Sequence, residues 1–241
     1  MANIWLIDLE SVETRYTKEW KTYFPALLTK AGHNVNIIDG PTDIPKANTP
    51  GAFLNFGGTN IYKASQVEKI SRAFTTGQVK EGDHIIFTDA WHPGITNIKY
   101  MSELLGVKVI THALWHAGSY DPQDFLGRLI GNASWVRHAE KSFFHSYDHN
   151  YFATDFHVKL FFDELLLDGH NEPSEMYNEA FNRRFDNGKI VRCGWPMEYE
   201  KVELEPFKGM KKTNKILFPH RVAPEKQPEI FLDLKDTLTQ Y

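Results

Sequence analysis

The stretch HIIFTDAWHPGITNIKYMSELLGVKVITHAL, residues His84–Leu114, contains the pattern that decides the fold. Its first and last parts, His84–Asp89 and Val107–Leu114, are short apolar runs of the kind that form buried strands. Between them, residues Ile95–Leu105 have the length and spacing of a helix. The stretch therefore predicts a strand, a helix and a second strand in succession.

The same alternation extends towards the N-terminus. Strands are predicted at Asn3–Asp8, Asn34–Ile38 and Ala52–Phe56, and helices at Thr17–Ala31 and Tyr62–Phe74. Strands that alternate with helices through short connections are typical of a parallel sheet whose two faces are covered by helices. The predicted fold class is therefore α/β, with a Rossmann-like parallel sheet.

The pattern becomes looser in the second half of the chain. Asp121–Ile130 predicts a short helix, Ser142–His145 a brief strand and Tyr147–Leu167 one or two helices. A further strand is predicted at Lys189–Gly194. The composition then turns polar and charged, which is typical of a linker.

These segments predict three parts of the chain. Residues 1–200 form a Rossmann-like domain, residues 201–214 form a linker, and residues 215–241 supply one strand and one helix. One βα unit cannot bury its own apolar faces, so it must pack on the first domain or begin a second one. We expect it to be the first unit of a second, incomplete Rossmann-like domain.

Composition limits the classes of function. With 41% hydrophobic and 14% aromatic residues, the 241-residue chain can build a packed core. Its net charge of −4 lacks the basic excess that non-specific nucleic-acid binding requires. The single Cys193 cannot form an internal disulfide, and the apolar run Ile4–Ile7 is too short for a signal peptide. We expect a cytoplasmic protein with no membrane contact.

The segment KILFPHRVAPEKQPEIF, residues Lys215–Phe231, is the clearest indication of a ligand. It predicts a strand, a turn that carries Arg221 and Lys226, and the start of a helix. Arginine and lysine side chains beside the free amides of a helix N-terminus can bind a diphosphate. The alternative is that both are ordinary surface charges.

Several common sites are missing from the sequence. It has no GxGxxG after the first predicted strand and no GxxxxGK, which disfavours dinucleotide oxidoreductases and P-loop nucleotidases. It also has no HExxH and no CxxC pair. We therefore expect neither a metal ion nor a resident cofactor.

Candidate residues of the first domain follow the ends of predicted strands. In a parallel sheet these carboxyl ends face the ligand-binding crevice. Asp89 can orient or deprotonate a hydroxyl group there, unless it only caps the next helix. His116 can contact the same ligand, unless local hydrogen bonds already satisfy its ring. Four further candidates lie near the same edge, with capping or surface roles as the alternative: Asp8, Glu10, Arg15 and His92.

The order of these landmarks resembles that of the two-Rossmann-domain (GT-B) glycosyltransferases, particularly the retaining, nucleotide-sugar-dependent group. Four stretches carry the resemblance in the first domain: HIIFTDAWHPG at His84–Gly94, VKVITHALWHAG at Val107–Gly118, AEKSFFHS at Ala139–Ser146 and KIVRCGWP at Lys189–Pro196. In the second domain, the family's Arg, Pro, Glu and Lys after the first strand match four residues: Arg221, Pro224, Glu225 and Lys226.

The resemblance implies transfer of a sugar from a nucleotide diphosphate sugar to a hydroxyl acceptor. Arg221 and Lys226 would neutralise the donor diphosphate, and His116 and Asp89 would lie at the sugar and the acceptor. The nucleotide sugar would be a co-substrate rather than a cofactor. The last segment is also similar to glycosyltransferases of large bacterial viruses, some relatives of which modify hydroxymethylated bases. Modified DNA in the host cytoplasm is therefore one candidate acceptor.

The family's donor domain continues well beyond this motif, whereas the sequence given ends at Tyr241. The chain is then a fragment, a protein with a vestigial tail, or one half of an enzyme whose donor domain a second chain completes. Two alternative functions stay open beside the transferase: a non-catalytic half that needs such a partner, and a nucleotide-sugar epimerase of the same fold.

Overall fold

A computed structural model gives the structure of the protein. The residues that it describes are 1–12, 15–50, 52, 54–166, 187–195, 197, 200–213, 215–220, 222 and 226–238. The chain divides into two compact units, unit 1 (Met1–Met197) and unit 2 (Glu198–Tyr241).

Unit 1 alternates strands and helices along most of its length. Its elements are, in chain order, β1 (Asn3–Ile7), α1 (Tyr16–Lys30), β2 (Asn34–Ile38), α2 (Phe56–Thr75), β3 (His84–Phe87), α3 (Gly94–Leu104), β4 (Ile110–Leu114), α4 (Phe125–Ile130), α5 (Ser134–Ser146), β5 (His149–Phe152), α6 (Asp155–Phe161), a π-helical turn (Phe162–Leu166) and β6 (Ile190–Arg192). The strands form one parallel sheet in the order β2-β1-β3-β4-β5-β6. The prediction of a Rossmann-like α/β fold is confirmed.

The interior of the sheet explains why these short runs become strands. Successive residues Ile4, Trp5, Leu6 and Ile7 of β1 are all buried, so both faces of this strand are covered. Strands enclosed in this way in parallel sheets are apolar throughout instead of alternating with polar residues. Strand β1 therefore lies in the most enclosed part of the sheet.

The predicted strand Ala52–Phe56 is wrong, because α2 already begins at Phe56. The side chain of Asn55 accepts a hydrogen bond of 2.8 Å from the amide of Gly58 and caps the helix. Capping by asparagine satisfies one of the free amides in the first helical turn. The helix therefore starts at Phe56, whereas the sequence pattern predicts a start at Tyr62.

Two predictions around β5 are also wrong. Ser142–His145 belongs to α5, whose buried residues Val136 and Phe143 lie seven positions apart on one helical face. His149–Phe152 is a strand, although the range Tyr147–Leu167 is predicted to form one or two helices. Only the later part of that range, up to Leu166, is helical, and its last residue lies outside the described residues.

Unit 2 contains short helices: α7 (Glu200–Leu204), a 3-10 turn (Glu205–Phe207), α8 (Pro228–Asp233) and α9 (Lys235–Leu238). The sequence predicts a strand from Lys215, but residues 215–220 form none. Throughout the described ranges of both units, no helix combines the length and the apolar character needed to cross a membrane.

Candidate functional site

A cavity of about 450 Å³ opens at the carboxyl edge of the sheet in unit 1. It lies beside the ends of β1, β3 and β4. Strand β2 pairs with one side of β1 and β3 pairs with the other, so the chain reverses its direction across the sheet at this point. Ligands of open parallel sheets bind at such reversal points. The position of the cavity therefore marks it as the candidate ligand site.

The cavity wall is built by the loops that follow three strands and by parts of three helices. Its lining residues are Leu9, Glu10 and Val12 after β1; Arg15, Tyr16 and Thr17 at the start of α1; Leu54, Phe56, Thr59, Asn60 and Lys63 at the start of α2; Asp89 and Trp91 after β3; His116 and Ala117 after β4; and Asp124, Phe125, Leu126, Leu129 and Ile130 at α4. Four predicted site residues are thus brought together: Glu10, Arg15, Asp89 and His116.

The α2 wall follows from helical spacing. Phe56, Thr59, Asn60 and Lys63 are separated by three, four and seven positions, which lie on one face of a helix. Because α2 begins at Phe56, this face faces the cavity over the first two turns. The helix therefore presents one aromatic ring, two neutral polar groups and one ammonium group to a ligand.

Asp89 and Lys63 form an ion pair in the cavity wall, with 3.3 Å between Asp89 Oδ2 and Lys63 Nζ. Asp89 Oδ1 accepts a hydrogen bond of 3.1 Å from the amide of Trp91, and Lys63 also donates to the Trp91 carbonyl. Burial alone would raise the pKa of Asp89, but the charge of Lys63 and the hydrogen bond from the Trp91 amide hold that pKa below its usual value. Asp89 is therefore an ionised, fixed carboxylate with about a third of its side chain still exposed.

Both ring nitrogens of His116 are already engaged. Nε2 lies 2.6 Å from the carbonyl oxygen of Thr88, which can only accept, so Nε2 carries the proton. Burial lowers the pKa of His116, which favours the neutral ring. Nδ1 then accepts a hydrogen bond of 2.6 Å from the hydroxyl of Tyr16. The ring thus ties β4 to β3 and α1, and it presents no free nitrogen to a ligand.

Aromatic side chains surround that ring. Tyr16 stacks on His116 with 5.8 Å between ring centres. Trp20 and Trp195 make edge-to-face contacts with His116, with 5.0 and 4.9 Å between ring centres. Burial raises the pKa of Tyr16 to about 12, so its hydroxyl keeps the proton that it donates. The cluster fixes the position of His116 through packing as well as hydrogen bonds.

Glu10 and Arg15 complete the charged part of the lining. Glu10 Oε2 accepts a hydrogen bond of 2.6 Å from the hydroxyl of Thr59, which joins the end of β1 to α2. Arg15 precedes the first turn of α1, and its guanidinium carbon lies 6.0 Å from the Tyr16 ring centre. Both side chains line the cavity, and their contact with an acceptor stays a prediction.

Asp8 and His92 are buried and do not line the cavity. The Asp8 carbonyl accepts a hydrogen bond of 2.6 Å from Gln66, whose side-chain oxygen lies 3.2 Å from His92 Nε2. The other ring nitrogen of His92 accepts from the amide of Gly94 at 3.1 Å. These bonds tie β1, α2 and α3 together beneath the site. The structure therefore offers neither residue a direct contact with a ligand in this cavity.

The two predicted donor-binding residues belong to unit 2. Arg221 lies outside the described residues, as do its motif companions Pro224 and Glu225. Lys226 is described and is exposed. The diphosphate-binding role of this segment stays a prediction from the sequence.

Sequence reasoning missed Lys63, Trp91, Asp124 and the whole α4 wall. Lys63 could have been found from its spacing to Phe56, had the helix start been predicted at Asn55. Trp91 is held by a buried carboxylate, because its indole nitrogen donates a hydrogen bond of 2.8 Å to Glu140. No sequence signal joins positions that are this far apart in the chain.

Within the described parts of the chain, no three His, Cys, Asp or Glu side chains are grouped so that they could hold a metal ion. The comparisons with known proteins add no relative: no protein-family model matches the chain, and a search of curated proteins finds no match. The cavity and the sequence resemblance are therefore the features that point to a function.

Proposed function

We propose that the protein is a glycosyltransferase that transfers a sugar from a nucleotide diphosphate sugar to a hydroxyl acceptor, with the acceptor in the cavity of unit 1. One observation carries the proposal: a fixed, ionised Asp89 lies in a cavity at the strand-reversal point of a Rossmann-like sheet. The resemblance to GT-B enzymes supplies the reaction. Arg221 and Lys226 would bind the donor diphosphate.

The chemistry assigned to Asp89 is the orientation of a hydroxyl group. A carboxylate has about four lone-pair sites, and the Trp91 amide and Lys63 occupy two of them. The remaining sites can accept the hydrogen bond of an acceptor hydroxyl, and later its proton as the new glycosidic bond forms. Lys63 lowers the basicity of Asp89, so Asp89 contributes mainly by positioning the nucleophile.

A product assay with the full chain tests this function. Nucleotide sugars with different bases and sugars are incubated with a mixture of hydroxyl acceptors, and release of nucleoside diphosphate is followed. We expect acceptor-dependent release, reduced roughly a hundredfold by Asp89→Asn and unchanged by Asp43→Asn, which removes an exposed carboxylate outside the cavity. Arg221→Ala and Lys226→Ala should instead weaken binding of the nucleotide sugar.

The same assay separates the alternatives. Conversion of the nucleotide sugar without an acceptor would identify an epimerase. If Asp89→Asn releases nucleoside diphosphate at the same rate as the parent, Asp89 has no part in the reaction. If the chain releases no nucleoside diphosphate alone but does release it when a second polypeptide is added, it is one half of an enzyme. The half-enzyme is favoured by the structure of unit 2, whose described residues contain helices and no strand.

A further inference from the structure

One wall of the cavity consists of apolar side chains that are only partly buried. Helix α4 contributes four of them, and none of its residues is fully buried. Leu129 is 51% exposed. Apolar atoms that line a void lack contacts on one side, so a ligand that fills the void gains both dispersion and hydrophobic stabilisation. The α4 wall is therefore suited to an apolar surface.

An aromatic pair closes one side of this wall. The rings of Phe56 on α2 and Phe125 on α4 stack with 5.8 Å between their centres and an angle of 17° between their planes. Both rings are only half-buried, and both line the cavity. Offset aromatic stacking of this kind also binds flat ligand rings. The pair thus extends the apolar wall from one helix to the other.

The fixed polar groups of the lining come from the ends of β1 and β3 and from the first turns of α2. Asp89 and Lys63 lie there as a fixed ion pair, and Glu10 is held by Thr59. Sites for small molecules are mostly apolar and have a few fixed polar groups that orient the ligand, with typical volumes of about 300–1,000 Å³. The observed cavity of about 450 Å³ has this organisation.

The charges of the lining disfavour a polyanion. Three acidic residues, Glu10, Asp89 and Asp124, face two basic ones, Arg15 and Lys63, so the formal charge of the lining is −1. Proteins that bind DNA neutralise several phosphates with lysine and arginine. The lining offers no such excess of positive charge.

We infer that the hydroxyl acceptor is a small molecule with an apolar, ring-containing body rather than modified DNA. Its body lies against α4 and the Phe56–Phe125 pair, and its hydroxyl donates to Asp89. This inference rests on the proposed function, because the bound molecule is an acceptor only if the protein is a transferase. Its binding to the cavity can be measured without any donor.

Calorimetric titration of the full chain with phenols of increasing size tests the inference. The probes are phenol, 2-naphthol and 9-phenanthrol, each paired with its methyl ether, which cannot donate a hydrogen bond. Glucose and a DNA duplex containing hydroxymethylcytosine serve as polar acceptors. We expect a two- or three-ring phenol to bind at least tenfold more tightly than its ether and at least a hundredfold more tightly than glucose.

Two matched variants locate the binding. Leu129→Asp places a charge on the α4 wall and should weaken the best phenol at least tenfold. Leu105→Asp makes the same change at a leucine of similar exposure, 54%, outside the cavity, and should leave binding unchanged. Both positions are exposed, so both variants should fold, which circular dichroism would check.

The outcomes separate the inference from the proposed function. If no phenol binds, or if the duplex binds more tightly than every phenol and loses affinity in Leu129→Asp, the inference is overturned even where transfer is observed. If a phenol binds as expected and no nucleotide sugar is ever consumed, the inference holds for the cavity and the transferase proposal fails.

Discussion

Replacing Asp8 with asparagine should stabilise the protein at alkaline pH. Asp8 is 3% exposed, and its Oδ2 has no hydrogen-bond partner within the part of the chain that the structure describes. The nearest ammonium group, Lys21 Nζ, is 4.0 Å from that oxygen. Burial, with a smaller contribution from the nearby Asp39, raises the pKa of Asp8 from 3.8 to about 6 in spite of the attraction of Lys21.

The pKa gives both the sign and the size of the effect. The folded state holds the Asp8 proton more tightly than the unfolded state, so this stabilisation is complete below pH 3.8 and is lost as the pH rises to 6. The pKa rise from 3.8 to about 6 corresponds to about 3 kcal/mol in the free energy of unfolding. About 2 kcal/mol of that loss falls between pH 4.5 and pH 8, because some is already lost at pH 4.5.

Urea unfolding followed by tryptophan fluorescence measures this difference. The free energy of unfolding of Asp8→Asn minus that of the parent should be about 2 kcal/mol larger at pH 8 than at pH 4.5. Asp43→Asn, at an exposed position, should follow the parent at both pH values. A difference that is the same at both pH values would show that the folded state does not hold the Asp8 proton more tightly than the unfolded state. If Asp8→Asn binds a cavity ligand as tightly as the parent, the role of Asp8 is structural. A large loss of affinity would instead support the predicted contact between Asp8 and the acceptor.

Three further variants test residues that hold the cavity wall in place. Burial lowers the pKa of His92 to about 3, so the contribution of His92 to the free energy of unfolding should fall by about 2 kcal/mol between pH 7 and pH 5. In urea unfolding, the free energy of unfolding of His92→Gln minus that of the parent should therefore be about 2 kcal/mol larger at pH 5 than at pH 7. A Cβ atom on Gly127 would overlap the carbonyl of Asp121, so Gly127→Ala should cost roughly 1–3 kcal/mol and weaken cavity ligands measured by calorimetry. Tyr16→Phe removes the hydrogen bond to His116 and should cost about 1–3 kcal/mol in the same unfolding assay.

The fold was largely predictable because strands such as β1 (NIWLI) and β3 (HIIF) are short apolar runs that alternate with helical patterns along the chain. Strand β5 was not, because its sequence, HNYF, places a polar residue in the core. Asn150 is buried there, and its amide nitrogen donates to the carbonyls of Phe144 and Lys189 while its oxygen accepts from Trp115. Only the assembled sheet brings these partners together, so no local pattern identifies the strand.

The site was predictable to the extent that it follows from strand ends. Asp89 and His116 could be identified because the carboxyl ends of parallel strands share one edge. That rule does not say which of two neighbouring residues faces the cavity: Glu10 does, whereas Asp8, two positions earlier, is buried beneath it. Lys63 was missed because the start of its helix depends on one capping side chain.

The engaged state of His116 divides the proposed chemistry between two regions. Neither of its ring nitrogens is free, so among the two predicted catalytic residues only Asp89 has acceptor capacity left for a ligand. An ionised carboxylate can orient a hydroxyl, but it does nothing to stabilise a departing diphosphate, which needs positive charge. Lys63, the ammonium group of the cavity, is already paired with Asp89 and with the Trp91 carbonyl. In the proposed transfer, activation of the donor therefore depends on basic groups beyond this pair, and that is the role predicted for Arg221 and Lys226.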